Sequence, residues 1–276
     1  MNLKFTKAHG IGNDFVVIDT IRDGVPDVDM SKLSKLACDR RTGVGADGII
    51  LILRKSELEM RMFNPDGSES EMCGNGLRAF AKICVDRGYA SGTFEVKTGA
   101  GQLTPTVLPD GRVSVNMGQA RLNPSEIGMK SAEAKFINAP LDKNRSGTAV
   151  SMGNPHLMIF VDEVNAVELE YEGPLYEHHA LFPNRTNVHF VQVLNTSEVK
   201  MRSWERGAGA TLACGTGACA VAVAAHENGF ANRQVTVHLP GGDLEIDYQA
   251  DGTVIMTGSA TTVFEGELGS ALQPVI

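Results

Sequence analysis

The stretches EMCGNGLRAF (residues 71–80) and LACGTGACAV (residues 212–221) decide the fold of this chain. Each places a cysteine, Cys73 or Cys214, before a glycine, a polar residue and a second glycine. Each then continues into a run that suits a helix. Two turns of this composition in one chain indicate that the sequence contains a repeat.

A second pair of turns has the same spacing. Asn13 in GIGNDF and Asn154 in SMGNPH are separated by the same interval as the two cysteines, so each Gly-Asn turn precedes its cysteine by an equal distance. The segments directly before the cysteines correspond as well, because MRMFNPDGSESEMCGNG aligns with VKMRSWERGAGATLACGTG and brings Asn64 near Glu205. These matches predict an internal duplication, with two related halves of about 120–140 residues.

The pattern along each half predicts an α+β fold. Short runs rich in β-branched and aromatic residues, such as GIILIL (48–53) and VHFVQV (188–193), predict strands. Turns such as NPDGS and LPGGD separate the runs and favour mainly antiparallel pairing. The run GACAVAVAAHENG is apolar almost all round, which predicts a helix buried inside the sheet. Helical patterns occur at about 30–40, 75–87, 174–181 and 216–228.

Composition and charge exclude several classes of protein. The 276 residues carry a formal net charge of −8, which argues against a nucleic-acid binder with a basic surface. The apolar runs are far shorter than the ~18 residues of a membrane span, and the N-terminus has no secretory core. The sequence therefore predicts a cytoplasmic protein without nucleic-acid or membrane partners. Five cysteines without CxxC pairs predict no disulfide framework and no metal site, and Cys38, Cys84 and Cys219 are expected to be inert.

Two cysteines at helix N-termini can carry acid–base chemistry on a carboxylate substrate. A helix N-terminus offers free backbone N–H groups, which bind a carboxylate and lower the pKa of a neighbouring thiol. If the halves place Cys73 and Cys214 on opposite faces of one α-carbon, a thiolate removes the proton and the opposite thiol returns one, inverting the stereocentre. No cofactor is needed where N–H donors and water exclusion stabilise the carbanion-like transition state. No lysine context indicates a pyridoxal Schiff base.

The motifs FTKAHGIGNDF, FNPDGSESEMCGNGLRAFAK, SMGNPH and WERGAGATLACGTGACA, with further matches along nearly the whole chain, resemble the diaminopimelate epimerase family. The resemblance implies cofactor-independent interconversion of LL- and meso-diaminopimelate, in the synthesis of lysine and peptidoglycan precursors. It also implies a homodimer of two-domain chains, in which each domain has antiparallel strands around a central helix and the C-terminal tail returns to the first domain. The expected domains are residues 1–118 with 264–276, and residues 119–263.

The resemblance assigns roles to individual residues. Cys73 and Cys214 correspond to the two catalytic cysteines, and His156 and Glu205 correspond to residues that tune the protonation of the thiols. Arg206 is expected to be buried and to grip the distal carboxylate of diaminopimelate bidentately. The residues implied to contact the substrate are Asn13, Asn64, Gly74, Asn75, Asn154, Asn187, Glu205, Arg206, Gly215 and Thr216.

Two positions depart from the family pattern. Gly48 in GADGII stands where some members have a glutamine that contacts the substrate, so Gly48 is not expected to be a substrate contact. Phe264 stands where a tyrosine contributes to the family dimer. The packing of a ring can persist there, but any hydrogen bond of the tyrosine hydroxyl is lost.

Three alternative functions are left open by the residues themselves. A proline or hydroxyproline racemase of the same fold also has two cysteine turns, although its first turn usually reads Cys-Gly-His where this chain has Cys73-Gly74-Asn75. A phenazine-biosynthesis-type isomerase of the same fold lacks the cysteine pair. A non-catalytic amino-acid binder that senses redox state would use Cys73 and Cys214 as a regulatory disulfide.

Overall fold

The computed structural model describes residues 3–269 of the chain, and these divide into two compact units. The first unit runs to Val115 and resumes at Gly258, and the second is Asn116–Thr257. The sequence boundaries had been placed a few residues later, after 118 and after 263. Of the predicted returning tail, 264–276, residues up to 268 lie in a strand of the first unit, and 270–276 lie outside the described residues.

The first unit contains a mixed β-sheet and helices. Its described strands are β1 (Leu3–Gly10), β2 (Asn13–Asp19), β3 (Gly48–Arg54), β4 (Leu58–Phe63), β5 (Glu69–Ser70), β6 (Val96–Thr98), β7 (Gly101–Leu103), β8 (Thr106–Val107), the start of β9 (Val113–Gln119), and β19 (Thr261–Leu268). Its described helices are α1 (Thr20–Asp23), α2 (Met30–Cys38) and α3 (Gly74–Asp86).

The second unit contains a larger mixed sheet. Its strands, besides the end of β9, are β10 (Ala139–Pro140), β11 (Ser146–Ser151), β12 (Pro155–Phe160), β13 (Asn187–Asn195), β14 (Glu198–Glu205), β15 (Gly209–Thr211), β16 (Gln234–Leu239), β17 (Gly242–Tyr248) and β18 (Thr253–Gly258). Its helices are α4 (Pro124–Ile127), α5 (Leu169–Glu177) and α6 (Gly215–Glu227), and a 3₁₀ turn covers Val164–Ala166.

The two units repeat one order of strands. The first sheet runs β19-β1-β2-β3-β4-β6-β7, with β5 beside β4. The second runs β10-β11-β12-β13-β14-β16-β17-β18-β9-β8, with β15 beside β14. The series β1-β2-β3-β4-β6-β7 thus corresponds to β11-β12-β13-β14-β16-β17, and α3 follows β5 as α6 follows β15. The topology confirms the duplicated α+β fold that the two cysteine turns predicted.

Most of the described strand pairs are antiparallel, as predicted, but each sheet also contains parallel pairs. The hairpins β1–β2, β3–β4, β11–β12 and β13–β14 are antiparallel. The pairs β2–β3 and β12–β13 are parallel, as are β4–β6 and β14–β16. Parallel neighbours need a crossover connection, here through α2, α5, α3 and α6. Local turn signals in a sequence report only the hairpins, which is why the parallel pairs were missed.

The helices α3 and α6 begin directly after the two cysteines. Leu77 and Phe80 of α3 are fully buried, and all residues of α6 from 218 to 225 are buried, as predicted for a helix inside the sheet. Cys73 and Cys214 occupy the N-cap positions with extended backbones, and neither side chain caps its helix. The first backbone N–H groups of each helix have no acceptor within the helix itself, which is the feature that lets a helix N-terminus bind a ligand. No helix within residues 3–269 has both the length and the apolar character to cross a bilayer.

The helix predicted at about 174–181 was wrong at both ends. Helix α5 begins at Leu169 and ends at Glu177, with Pro174 inside it. Proline is typical of the first helical turn, whereas Pro174 lies in the middle of α5. Gly173 allows α5 to pack closely on its sheet, because a Cβ at this position would lie 2.5 Å from Cγ of Trp204.

The three cysteines expected to be inert are buried. Cys38 lies in α2, Cys84 in α3 and Cys219 in α6. Burial raises the pKa of Cys38 to about 11 and the pKa of Cys84 to about 12. These two thiols therefore stay protonated at neutral pH, when a thiolate would be needed for reactivity.

Candidate active site

The first cysteine turn joins three of the residues that the sequence singled out. The Cys73 thiol, half-buried at the start of α3, points at Oδ1 of Asn13, with the sulfur and oxygen 3.6 Å apart. Asn75, on the first turn of α3, donates from Nδ2 to the same oxygen at 3.1 Å. Asn13 lies at the start of β2, so the hairpin β1–β2 presents its amide to the helix N-terminus. The Gly-Asn turn and the cysteine turn, which are distant in sequence, form one site in the first unit.

A carboxylate orients the Asn13 amide. Asp47 accepts a hydrogen bond from Nδ2 of Asn13 at 2.7 Å and one from the backbone N–H of Asp14 at 3.1 Å. Arg40 donates to Asp47 and to Asp14, each at 2.7 Å. Because an ionised carboxylate only accepts hydrogen bonds, Asp47 holds the amide nitrogen and turns the amide oxygen towards Cys73. Sequence reasoning missed Asp47, although it lies in the RTGVGADG segment.

Two other positions of the first unit that the sequence discussed make different contacts. Asn64, implied to contact substrate, donates from Nδ2 to Ser68 Oγ at 3.0 Å in the turn after β4. Gly48 starts β3, and a Cβ there would lie 2.8 Å from the carbonyl oxygen of Phe63. Gly48 thus packs directly against the neighbouring backbone, so a glutamine at this position would require the strands to shift.

The second cysteine turn places a carboxylate against its thiol. Cys214 is 4% exposed at the start of α6, and its thiol donates to Oε2 of Glu205 at 3.1 Å. Thr211 donates from its hydroxyl to Oε1 of the same carboxylate at 2.5 Å. Glu205 ends β14, and β15 pairs back onto that strand with Gly209 opposite Glu205 and Thr211 opposite Ser203. The structure therefore joins Cys214 and Glu205, which the sequence had paired as thiol and tuning residue.

The protonation of Cys214 differs from the sequence expectation. Burial raises the pKa of the Cys214 thiol well above its usual range, and the adjacent Glu205 carboxylate raises it further. The backbone N–H of Gly217 and the hydroxyl of Thr216 oppose that shift without reversing it. The predicted lowering of the pKa by the helix N-terminus was therefore wrong for Cys214, which is a neutral thiol that donates to Glu205.

A chain of hydrogen bonds leads from the sheet to Cys214. Its four contacts join, in order, Ser203 Oγ to His189 Nδ1 at 2.9 Å, His189 Nε2 to His156 Nδ1 at 2.9 Å, His156 Nε2 to Asn154 Oδ1 at 2.9 Å, and Asn154 Nδ2 to Thr216 Oγ1 at 3.4 Å. Thr216 Oγ1 lies 3.9 Å from Cys214 Sγ. The structure thus joins His156, Asn154 and Thr216, all implied by the sequence, and adds His189 and Ser203.

Burial keeps both histidines neutral. His156 and His189 are fully buried. Burial lowers the pKa of His189 to about 3 and lowers the pKa of His156 well below its usual range, with His189 and Arg206 as further causes for His156. Each ring therefore carries one proton at neutral pH, and its two nitrogens act as one donor and one acceptor.

The buried histidines make the stability of this unit depend on pH. The pKa of His189 is lower in the folded protein than in the unfolded chain, so its contribution is complete above about pH 6.5 and is lost as the pH falls towards 3. We expect the free energy of unfolding, measured with urea, to fall as the pH is lowered from about 6 to about 4. The fall should be about 2 kcal/mol larger in the wild type than in His189→Gln. Carboxylates titrate in both proteins, so the difference isolates the histidine, and equal losses would contradict the buried neutral ring.

Asn187 and Arg206 form a separate contact at the end of β14. Asn187 is buried at the start of β13, donates from Nδ2 to the carbonyl of Pro155 at 2.9 Å, and accepts the backbone N–H of Arg206 at 3.0 Å. The Arg206 side chain is exposed and donates to the carbonyl of Asn184 at 3.2 Å. The expectation that Arg206 is buried was therefore wrong, because the residue lies in the turn after β14 rather than within the strand.

His156, His189 and Cys214 also have the donor atoms of a metal site. One ligand atom from each lies within 4.8 Å of the others. The facing nitrogens of the two rings, however, are hydrogen-bonded to each other at 2.9 Å, so one lone pair is already engaged and one nitrogen carries a proton. This arrangement favours a hydrogen-bond chain over metal coordination.

Gly217 is a further site residue that the sequence reasoning did not single out. A Cβ at this position would lie 2.5 Å from Cε1 of His189 and 2.9 Å from Sγ of Cys214. Only a glycine lets the His189 ring and the thiol share the first turn of α6. The GTGACA motif contains this signal, but its reason is visible only once β13 is packed on α6.

Comparison with known proteins identifies close relatives of the chain. The family model described as diaminopimelate epimerase matches residues 5–123 and 148–263. A diaminopimelate epimerase of Moorella thermoacetica is 49% identical over 276 residues, covering 96% of this chain and 99% of the relative. Another from Synechococcus elongatus is 48% identical over 277 residues, covering 97% and 99%.

Solved structures with low sequence identity share the fold. A phenazine biosynthesis protein of the PhzF family from Bacillus anthracis has a TM-score of 0.72 at 15% identity, covering 98% of this chain and 99% of its own. A hydroxyproline epimerase from Agrobacterium vitis, with trans-4-hydroxy-L-proline bound, has a TM-score of 0.67 at 14% identity, covering 97% and 91%. At these identities the likeness concerns the fold alone.

Proposed function

The chain belongs to the diaminopimelate epimerase family and is an isomerase, and we propose that it interconverts LL- and meso-diaminopimelate through the thiols of Cys73 and Cys214. Relatives at 48–49% identity carry this function, and the proline or hydroxyproline alternative rests only on structures at about 14% identity. One observation carries the assignment of the thiols. In each repeat the cysteine is the N-cap of a buried helix, and its sulfur meets a hydrogen-bond acceptor from another element, the amide oxygen of Asn13 or the carboxylate of Glu205.

The proton transfer requires one thiolate and one thiol. The surroundings support Cys214 as the thiol that gives its proton, because Glu205 accepts the S–H and raises the pKa of Cys214. Cys73 then acts as the thiolate that takes the α-proton, which forms its S–H bond and leaves an electron pair on the α-carbon. That pair takes the Cys214 proton on the opposite face, which inverts the centre and leaves Cys214 as the thiolate. The reverse reaction exchanges the two roles.

The helix N-termini supply stabilisation for the reacting carboxylate. The backbone N–H groups of Gly74 and Asn75 in one turn, and of Gly215 and Thr216 in the other, belong to the first turns of α3 and α6. Such groups carry partial positive charge and suit an enediolate-like carboxylate, on which negative charge develops during proton removal. We propose that these donors take the place of a cofactor, as the family resemblance implies.

The second amino-acid head of diaminopimelate needs its own partners. Arg206 is exposed, and beyond the N–H that contacts Asn184 its guanidinium has further donors for a two-pronged pair with a distal carboxylate; its backbone is held by Asn187. Asn64 and Asn154 offer amide groups suited to an ammonium and a carboxylate. These residues support a substrate with two polar ends rather than one of proline size.

Exchange of the α-proton in D₂O tests the function. LL-diaminopimelate incubated with the reduced enzyme is expected to incorporate deuterium and to form the meso isomer, as followed by mass spectrometry and chiral chromatography. L-Proline is the matched control and should show neither change. Racemisation of proline without action on LL-diaminopimelate would overturn the substrate. Binding of LL-diaminopimelate without exchange under reducing conditions would favour the redox-sensing binder.

We further propose that the enzyme is a homodimer that acts in cytoplasmic lysine and peptidoglycan precursor synthesis. Phe264 packs edge-to-face on Phe5, with ring centroids 5.8 Å apart, yet remains 49% exposed on β19. Val263 beside it is 54% exposed. An edge strand with exposed apolar side chains supports pairing with a second copy, which analytical ultracentrifugation can measure.

A further inference from the structure

His189 is placed to act on Cys214 through other residues. It lies in the middle of β13, fully buried, and the register pairs it directly with Ser203 of β14. Its ring accepts from or donates to Ser203 on one side and His156 on the other, at 2.9 Å each. It also lies over the first turn of α6, where a Cβ on Gly217 would meet it. A strand core does not need such a ring for packing, because an aliphatic side chain would fill it without polar groups.

The orientation of the Asn154 amide determines which atom donates and which accepts at each contact of this series of hydrogen bonds. Asn154 donates from Nδ2 to Thr216, so its Oδ1 faces His156, and an amide oxygen only accepts. His156 must therefore carry its proton on Nε2 and leave Nδ1 bare. His189 must then donate from Nε2 to that bare nitrogen, and Ser203 must donate its hydroxyl proton to Nδ1 of His189.

The same order of donors and acceptors continues to the Cys214 thiol. Thr216 receives the Asn154 N–H on its hydroxyl oxygen, so its own proton is left to point at the Cys214 sulfur, 3.9 Å away. A hydroxyl proton stabilises a thiolate more than a thiol. We propose that His189 is a positioning residue that fixes His156 as the Nε2–H tautomer and, through Asn154 and Thr216, directs a proton donor at Cys214.

This inference rests on the proposed function, since it gives Cys214 a thiolate form during turnover. The titratable groups around Cys214 are Glu205 on β14, His156 on β12 and His189 on β13. Arg206 acts on the pKa of His156. The negative charge of Glu205 disfavours a thiolate at Cys214, whereas the Thr216 hydroxyl and the Gly217 N–H favour it. Without the hydrogen bonds that lead from His189, the Thr216 hydroxyl is no longer directed at the Cys214 sulfur.

The test compares His189→Leu with His189→Gln. Leucine removes both hydrogen-bonding atoms, whereas glutamine keeps a donor towards His156 and an acceptor towards Ser203. His226→Gln is the matched control, because His226 lies at the other end of α6 and contacts the carbonyl of Ala231. ¹⁵N NMR of histidine-labelled protein reports the tautomer of His156. The pH dependence of Cys214 alkylation by iodoacetamide, followed by peptide mass spectrometry, reports the thiol.

In the wild type we expect a single Nε2–H tautomer of His156. In His189→Leu we expect a mixture of tautomers, a rise of about one unit in the apparent pKa for alkylation of Cys214, and a loss of about tenfold in kcat with little change in KM. His189→Gln should restore the Nε2–H tautomer of His156. It should also bring the apparent pKa for Cys214 alkylation to within a few tenths of a unit, and kcat to within about threefold, of the wild-type values. His226→Gln should leave them unchanged.

Unchanged His156 tautomer and Cys214 alkylation in a folded His189→Leu protein would overturn the inference, as would a folded His189→Gln protein as impaired as the leucine variant. If His189→Leu does not fold, Ser203→Ala decides, because it removes only the outer donor and should shift the same two readouts in the same direction. Failure of the wild type to epimerise diaminopimelate would count against the proposed function, while the tautomer and alkylation results would still decide the role of His189.

Discussion

Replacing either Cys73 or Cys214 by alanine is expected to abolish epimerisation, with a residual rate about a thousandfold or more below that of the wild type. Inversion needs a base on one face of the α-carbon and an acid on the other, and each repeat supplies one thiol. The serine variants should fold and also lose most activity, because a hydroxyl is a far weaker acid and base than a thiol at neutral pH. Rates of isomer formation, measured by chiral chromatography, give the result.

Proton exchange separates the roles of the two thiols. Cys214→Ala retains Cys73, which can still remove an α-proton and return one to the same face, so it should exchange deuterium into one isomer without inverting it. Cys73→Ala should do the same with the other isomer. Loss of inversion with retained exchange is a result that unfolding cannot produce.

Cys219→Ala is the matched control for both variants. Cys219 lies in the same helix as Cys214 but is fully buried inside the second unit. Its replacement is expected to cost on the order of 1 kcal/mol of stability and to leave turnover intact. A stable but inactive Cys219→Ala protein would show that the second motif was assigned to the wrong cysteine, and near-normal turnover by Cys73→Ala or Cys214→Ala would end the two-thiol mechanism.

Arg206→Met is expected to lower kcat/KM for diaminopimelate by about ten- to hundredfold while the protein folds normally. A hydrogen-bonded charge pair is worth about 1.5–3 kcal/mol, and Arg206 is the arginine that we propose pairs with the distal carboxylate. Its guanidinium makes one contact to a backbone carbonyl in the structure, so methionine removes little that the fold depends on. Steady-state kinetics and the alkylation rates of both thiols give the comparison.

Two further variants sharpen the result for Arg206. Arg206→Lys keeps the charge but loses the planar fork, so it should recover only part of the activity. Arg233→Met is a matched control, because Arg233 follows the far end of α6 and stacks on Tyr248 at 4.8 Å. Equal activity of Arg206→Met and wild type would place the distal carboxylate elsewhere.

The cysteine turns, the repeat and the buried helix could be predicted because each is a local pattern. Gly-rich turns and an all-apolar helical run can be recognised in a sequence without knowing which residues pack around them. The strand β19 has no such local pattern. In β19, TTVFEGEL, five consecutive residues are exposed at the sheet edge, so no alternation of apolar and polar residues marks the strand.

The chemistry of the site depended on contacts that sequence spacing does not encode. His189 faces Ser203 only because of the β13–β14 register, and a shift of one residue would turn it to the opposite face. The raised pKa of Cys214 comes from burial and from Glu205, whereas a helix N-terminus alone would have lowered it. The orientation of Asn13 comes from Asp47, 34 residues away in the chain.

The pairing of β19 with β1 has a consequence for the synthesis of the protein. The register joins Leu3 to Leu268, so β1 leaves the ribosome long before its partner strand β19. The second unit, Asn116–Thr257, has its full set of strands before β19 is translated. Domains usually fold in the order in which they emerge. Here the N-terminal sheet stays open along β1 during translation, and its exposed edge is closed only when the strand after the second unit arrives.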